Sequence, residues 1–436
     1  LDKNFLRERM HGIVRKTTPF ERLVHHPLFE PGVLRLSLAG GVLRHELISI
    51  ESLTTPYNSS HKESERYLYL FGISDLHLGH PWIELFWDPK SGRFMTIGSA
   101  VMELMRRGIM QHGKSLPIHA LGIFDDLCQG HNFETQDQPH QNALSFHDME
   151  GTYDALCEAM KHITDPTEAA AILKKQRPEL LKQFWLRGLH WPQNQLDLFV
   201  KEFLRPNVDF FAGVLRRGQK AHVRYLGASE LLGTQYDSRD FAAISLGSGN
   251  HMGNTIENKL SEGVLAATVL QALLLSQPGC ASLDLERLVR GPLFGNIPSA
   301  IGRIQCGEKG YQWGISYRRD PPSAGETNGD PLLSAARKVI ERGDFSRVFG
   351  GITTVHFNGD KHRYGDARIT NALLVQSAAG TGPDPYGERG FGANNVGAII
   401  VGLPVNGPTA GPIRIIPINQ DVVRRELLSS SPSTLD

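Results

Sequence analysis

The run Tyr67-Leu68-Tyr69-Leu70-Phe71-Gly72-Ile73 is β-rich and nearly continuous in apolar character, and it stops at Ser74-Asp75-Leu76-His77-Leu78-Gly79-His80. A strand with one wet face alternates; a run like this one predicts a strand buried on both faces. From about Thr96 to Met110 the apolar residues Val101, Leu104, Met105 and Ile109 recur at helical spacing, and Pro117 to Phe124 reads as the next strand. Strand, helix, strand is a crossover unit, and such units carry active residues at the C-terminal ends of their strands. The polar block after Ile73 is therefore the first place to look for chemistry.

With 436 residues, 40% hydrophobic and 21% charged, the chain can bury a sizeable core in one large domain with an insertion or in two domains. Residues 1–65 read as an N-terminal β-rich extension. Gly32 to Leu38 and Gly41 to Leu47 suit a hairpin there, and the polar stretch Tyr57 to Arg66 separates it from the main domain, 66–436. Amphipathic, proline-punctuated sequence from about Thr152 to Arg216 predicts a helical cap inserted at about 135–235. Beyond it, strands are expected at Phe241–Leu246, Val348–Phe357, Ile369–Gln376, Val396–Gly402 and Ile413–Ile418. A helix is expected from about Ser261 to Leu275, and a long glycine-rich loop from Gly380 to Gly397.

Several function classes are disfavoured. Lys+Arg and Asp+Glu both number 46, so the formal net charge is zero, which argues against broad attraction to nucleic acid or an anionic membrane. The cysteines Cys128, Cys157, Cys280 and Cys306 form no C-x-x-C pair and point to neither a disulfide framework nor a thiolate zinc site. The longest apolar run, Val264 to Leu275, is too short to span a bilayer, and no signal-peptide pattern opens the sequence as given. The expected location is cytoplasmic.

Four strand ends carry side chains capable of metal chemistry. Asp75 and His77, two residues apart after the first buried run, can point the same way and share one cation. The next run ends in Phe124-Asp125-Asp126; adjacent carboxylates repel unless a cation or a donor intervenes, so one reads as a turn or cap residue and the other as a metal bridge. After Leu246 comes Gly247-Ser248-Gly249-Asn250-His251. A nucleophile elbow fails there because Leu246 and Asn250 occupy the outer positions of Gly-x-Ser-x-Gly, whereas Gly-Asn-His offers an amide oxygen to a metal and an imidazole beside it as an acid. The last block, Val355-His356-Phe357-Asn358-Gly359-Asp360-Lys361-His362-Arg363, places Asp360 and His362 two residues apart.

In this order the four blocks resemble those of the calcineurin-like metallophosphoesterases. The likeness covers roughly residues 66 to 375; it is close at Ser74 to Gly79, good at Gly249-Asn250-His251 and moderate at the other two. The resemblance implies a four-layer α/β/β/α sandwich, an α/β fold carrying here the helical insertion and the N-terminal β-rich extension, with two divalent metal ions. It implies that Asp75 and His77 bind the first metal and that Asp125 or Asp126 bridges both. Asn250 would bind the second metal, His251 would protonate the leaving oxygen, and His362 would close the first site. The sequence departs from the family in two places. Asp360 stands where the Gly-His-x-His motif has its first histidine, and no histidine lies between His251 and His356. A second site would then be rebuilt with Asp360, helped by His356, His80 or His131, or stay empty. Of Mn, Mg, Fe and Zn, the exchange of imidazole for carboxylate favours the harder Mn²⁺ or Mg²⁺, with Mn²⁺ preferred.

The expected activity is metal-dependent hydrolysis of a phosphate mono- or diester. Two cations about 4 Å apart activate water and clamp an in-line displacement. Arg363 either contacts a phosphate oxygen through its planar fork or stands as a solvated charge beside a turn. The partner is a phosphorylated substrate, with no membrane and no strong nucleic-acid signal. Rival readings are a degenerate member acting as a binding or scaffold protein, and a single-metal hydrolase of a non-phosphate substrate. Most of the 18 histidines read as background.

Overall fold

The structure, a computed structural model, describes residues 32–39, 42–49, 66–78, 85–88, 93–96, 98–103, 105, 117–128, 195–197, 199–234, 240–247, 249, 262–291, 299–318, 346–359, 364–369, 371–377, 380 and 396–419. In chain order, β1 (Gly32–Ala39) and β2 (Val42–Ser49) form a hairpin, followed by β3 (Tyr67–Ser74), the pair β4 (Leu85–Asp88) and β5 (Arg93–Thr96), helical residues 98–103, and β6 (Ile118–Phe124). A π-helical turn, Phe199–Leu204, leads to α1 (Val208–Lys220), β7 (Val223–Gly227), α2 (Ala228–Leu232), β8 (Ile244–Leu246) and α3 (Glu262–Leu275). The chain continues through α4 (Leu285–Leu288), β9 (Val289–Arg290), β10 (Ser299–Cys306), β11 (Trp313–Arg318) and α5 (Ser346–Phe349). It closes with β12 (Thr354–Asn358), β13 (Gly365–Ile369), β14 (Ala372–Gln376), β15 (Val396–Pro404) and β16 (Arg414–Asn419).

This is a mixed α/β fold with two larger mixed sheets. The first has strand order β2-β1-β16-β15-β3-β6-β8-β9 and the second β13-β14-β12-β11-β10-β7. In the first sheet β3, β6, β8 and β9 are parallel, so their C-terminal ends lie along one edge. In the second, β11, β12 and β14 are parallel. Every residue of β3 and of β6 is buried, as the unbroken apolar runs require. Helices α1 and α3 cover this part of the first sheet, α1 against β6 and α3 against β8 and β9. No helix among the described residues is long and apolar enough to cross a membrane.

The two sheets meet face to face through aromatic rings. Phe124 stacks on Tyr317 with ring centroids 5.5 Å apart, and Tyr317 lies 5.0 Å from Phe357. Glycine makes this approach possible. Gly72 and Gly122 are register partners on β3 and β6, and a Cβ on Gly72 would come within 2.8 Å of the Phe357 ring, while one on Gly122 would run into Tyr317. A glycine pair thus forms the floor that receives two rings from the opposite sheet.

The structure redraws several sequence expectations. The hairpin β1–β2 is built into the first sheet through β1 and β16, with Leu34 opposite Ile415. Of the helical cap expected at about 135–235, residues 135–194 lie outside the described residues. Residues 199–234 belong to the body: Phe203, Phe211 and Val214 are fully buried in the main core, and β7 is a strand of the second sheet. The strand expected over Val348–Phe357 divides, because Gly350 (φ 54°) and Gly351 (φ 79°) adopt left-handed backbone and separate α5 from β12. Strands β10 and β11 carry no expectation from sequence, since Gly302, Arg303 and Gly314 blur their apolar pattern.

Replacing Gly122 by alanine forces a methyl group into the Tyr317 ring and should destabilise the fold by about 1–3 kcal/mol. Urea unfolding of Gly122→Ala tests this, and an unchanged midpoint would contradict the close sheet packing.

Candidate metal centre

Parallel pairing of β3 and β6 brings Ser74 opposite Phe124, so the residues that follow leave the sheet side by side. The two chains stay zipped past the strand ends. His77 N–H donates to the Asp126 carbonyl (2.9 Å), Leu78 N–H donates to the Leu127 carbonyl (3.1 Å), and Leu78 bridges Cys128. Asp75, His77 and Asp125 have φ values of 53°, 43° and 63°. These lie in the left-handed region, where a non-glycine residue costs of order 1–3 kcal/mol and is held only by its surroundings. Such strain clusters at functional sites.

The result is a compact buried group. Ligand-capable atoms of Asp75, His77 and Asp126 all lie within 4.8 Å of one another. The His77 Nε2 atom is 3.9 Å from Asp75 Oδ1 and 4.0 Å from Asp126 Oδ2. Asp75, His77, Asp125 and Asp126 are each at most 3% exposed. Carboxylates withdrawn from water at this spacing repel, and a cation among them relieves both the repulsion and the desolvation. Two carboxylates and an imidazole are a donor set that borderline and hard divalent ions accept. The residues present thus fit a metal ion, and the triad could hold one.

Two glycines lie against this group. Gly359, at the end of β12, would with a Cβ approach Asp75 Oδ2 within 2.9 Å and Asp125 Cβ within 3.1 Å. Gly249, after β8, lies so close to Asp126 that a Cβ would overlap its carboxylate. The Gly-Asn-His and Gly-Asp-Lys-His blocks therefore begin at residues in contact with the acidic pair. Asn250, His251, Asp360, His362 and Arg363 themselves lie outside the described residues, as do His80 and His131.

His356 has a different surrounding. Val355 and Phe357 belong to the main core, and Phe357 faces the first sheet; His356 alternates to the other face, edge-on to Phe349 of α5 with centroids 5.6 Å apart. Burial, with the Arg318 charge, lowers its pKa to about 3, so it is neutral at pH 7. It does not join the Asp75, His77 and Asp126 group. His119 is likewise a core residue: its Nδ1 accepts the Tyr69 N–H, its carbonyl accepts the Tyr225 hydroxyl, and burial lowers its pKa to about 4.

Glu262, in the first turn of α3, was not among the residues that sequence singled out. It is fully buried, and its Oε1 accepts N–H bonds from Leu127 (3.3 Å) and Gly249 (3.2 Å). Burial raises its pKa to about 7 against those bonds. The Cys128 thiol is pushed up by burial and by Glu262, which makes it a poor nucleophile. The signal available in sequence was an acidic residue opening an otherwise apolar helix soon after Gly-Asn-His, where a helix dipole favours negative charge.

Two outcomes are expected. Asp75→Asn or Asp126→Asn should weaken Mn²⁺ binding at least about tenfold in calorimetric titration, since each removes an anionic donor from the triad. The second concerns Glu262, whose folded pKa of about 7 exceeds its ordinary 4.5. Between these values the folded protein retains a proton that the unfolded chain releases, so stability falls as pH rises through the window, by up to about 3 kcal/mol. Denaturation in chelator should show Glu262→Gln gaining on the wild type between pH 5 and pH 8, and parallel curves would refute the raised carboxyl. No protein-family model matches the chain, and no curated protein matches it either.

Proposed function

We propose that the protein is a metal-dependent phosphoesterase of the calcineurin-like kind, with the two sheets as the inner layers of a four-layer sandwich. The observation that carries this reading is the buried, strained Asp75, His77 and Asp126 group at adjacent parallel strand ends. Gly249 and Gly359 lead from that group directly into the two further motifs. Asp75 and His77 would hold one cation, and Asp126, with Asp125 beside it, would reach a second that Asn250 and Asp360 complete. Bound there, divalent ions, Mn²⁺ first among them, would polarise the phosphoryl oxygens and raise the acidity of water.

The remaining work falls to the chain. A water oxygen attacks phosphorus in line as the ester P–O bond breaks, the attacking water releases a proton to solvent, and His251, one residue from Asn250, gives its own proton to the departing oxygen. Arg363, directly after His362, would pair with a non-bridging phosphate oxygen. Burial of the acidic group strengthens each electrostatic contact there.

A second reading, a binding or scaffold protein on the same fold, is favoured by Asp360 in place of histidine and by His356 lying on the other face of β12. Metal analysis of the purified protein, with hydrolysis of generic phosphomonoesters and phosphodiesters in Mn²⁺, Mg²⁺ and Zn²⁺, separates the two. Turnover should require metal and fall about 10²–10⁴-fold in His251→Ala, as loss of a general acid implies, and further in Asp75→Ala. No bound metal and no turnover in any of the three ions would favour the scaffold. Activity that survives both substitutions would sink the mechanism.

A further inference from the structure

Glu262 has a place in the fold that its role as a helix residue does not require. The first turn of α3 is driven against the end of β8: a Cβ on Gly263 would come within 2.5 Å of the Leu246 carbonyl and 2.6 Å of the Gly247 carbonyl. Gly291 is equally close to the Gly263 backbone. This contact delivers the Glu262 carboxyl between two loops that leave the sheet after the Gly247 N–H bond to the Ile123 carbonyl (2.6 Å). One loop, after β6, contains Asp125 and Asp126; the other, after β8, leads through Gly249 to Asn250.

The carboxyl then binds both loops at once. Leu127 N–H, immediately after Asp126, and Gly249 N–H, immediately before Asn250, both donate to Oε1. Two backbone donors, one from each loop, converge on one side chain that is 0% exposed. A buried carboxylate without a structural task would be replaced at no loss by an apolar residue, since its desolvation is costly. Its bonds are spent on holding the spacing between the residues on either side of the acidic pair.

We propose that Glu262 is a positioning residue for the metal centre, fixing the Asp126 turn and the Gly249 turn at the separation needed to share a cation. It acts through those backbone amides and touches neither metal nor substrate. Second-sphere contacts of this sort commonly contribute 10–100-fold in metal affinity. The inference rests on the metal-centre reading above but extends to a residue outside every motif that prompted it. Acceptance of N–H bonds is the essential property, so an amide oxygen should serve nearly as well as a carboxylate.

The test compares the wild-type chain with Glu262→Gln and Glu262→Ala by Mn²⁺ titration calorimetry, thermal unfolding in chelator, and amide hydrogen exchange at Leu127 and Gly249. Glu262→Ala should bind Mn²⁺ about 10–100-fold more weakly, with faster exchange at those two amides, and Glu262→Gln should restore both. If Glu262→Ala proves too unstable to assay, Glu262→Asp shortens the reach by one methylene and should show the same loss. Wild-type affinity in the alanine variant, or equal loss in alanine and glutamine, would overturn the positioning role while leaving the metal centre intact. A wild type that takes up no Mn²⁺, Mg²⁺ or Zn²⁺ would overturn the metal reading and the inference with it.

Discussion

The parallel pairing of β3 with β6 is the constraint on which the rest depends. It puts two chains out of the sheet at one level and one separation, so that Asp75 and Asp125 begin their loops as neighbours. Backbone bonds from His77 to Asp126 and from Leu78 to Leu127 continue the pairing beyond the strands and hold the side chains in a conformation they would not adopt alone. Everything local to the acidic group, including its left-handed residues, is maintained by that continuation.

The pairing is in turn held by the second sheet. Gly72 and Gly122 leave room for Phe357 and Tyr317, and those rings tie β3 and β6 to β11 and β12. Because β12 is fixed this way, its end at Gly359 arrives against Asp75 and Asp125. The same residues that make the core therefore bring Gly359 against the site. On the opposite side α3 does comparable work, its first turn seated on the end of β8 and its Glu262 carboxyl joining the β6 and β8 loops. An acidic cluster withdrawn from water has little stability of its own, and here it is supported from two directions by packing and by backbone hydrogen bonds.

Much of this is legible in the amino-acid sequence. The unbroken apolar run ending at Ser74 announced a central strand, the helix over Glu262–Leu275 was placed to within a residue, and the blocks at Asp75 and Asp125 were found because chemistry collects at strand ends. Other elements were not legible. β10 and β11 have glycines and arginines where the pattern should be apolar, and α5 runs on into β12 in the apolar pattern although Gly350 and Gly351 break the backbone between them. His356 could not be told from a ligand, since which face of a strand is the inner one depends on the sheet it meets.

Sequence by itself determined which side chains were available and at which strand ends, because apolar runs and the polar residues that terminate them are local properties of the chain. It also determined that Asp360 stands where an imidazole was expected. Only the tertiary structure decided that Asp126, with Asp75 and His77, forms the close group, that His356 faces away from the first sheet, and that Glu262 joins two loops. Those choices depend on strand register, sheet facing and the seating of a helix on a strand end, contacts between residues distant in the chain that no local pattern encodes.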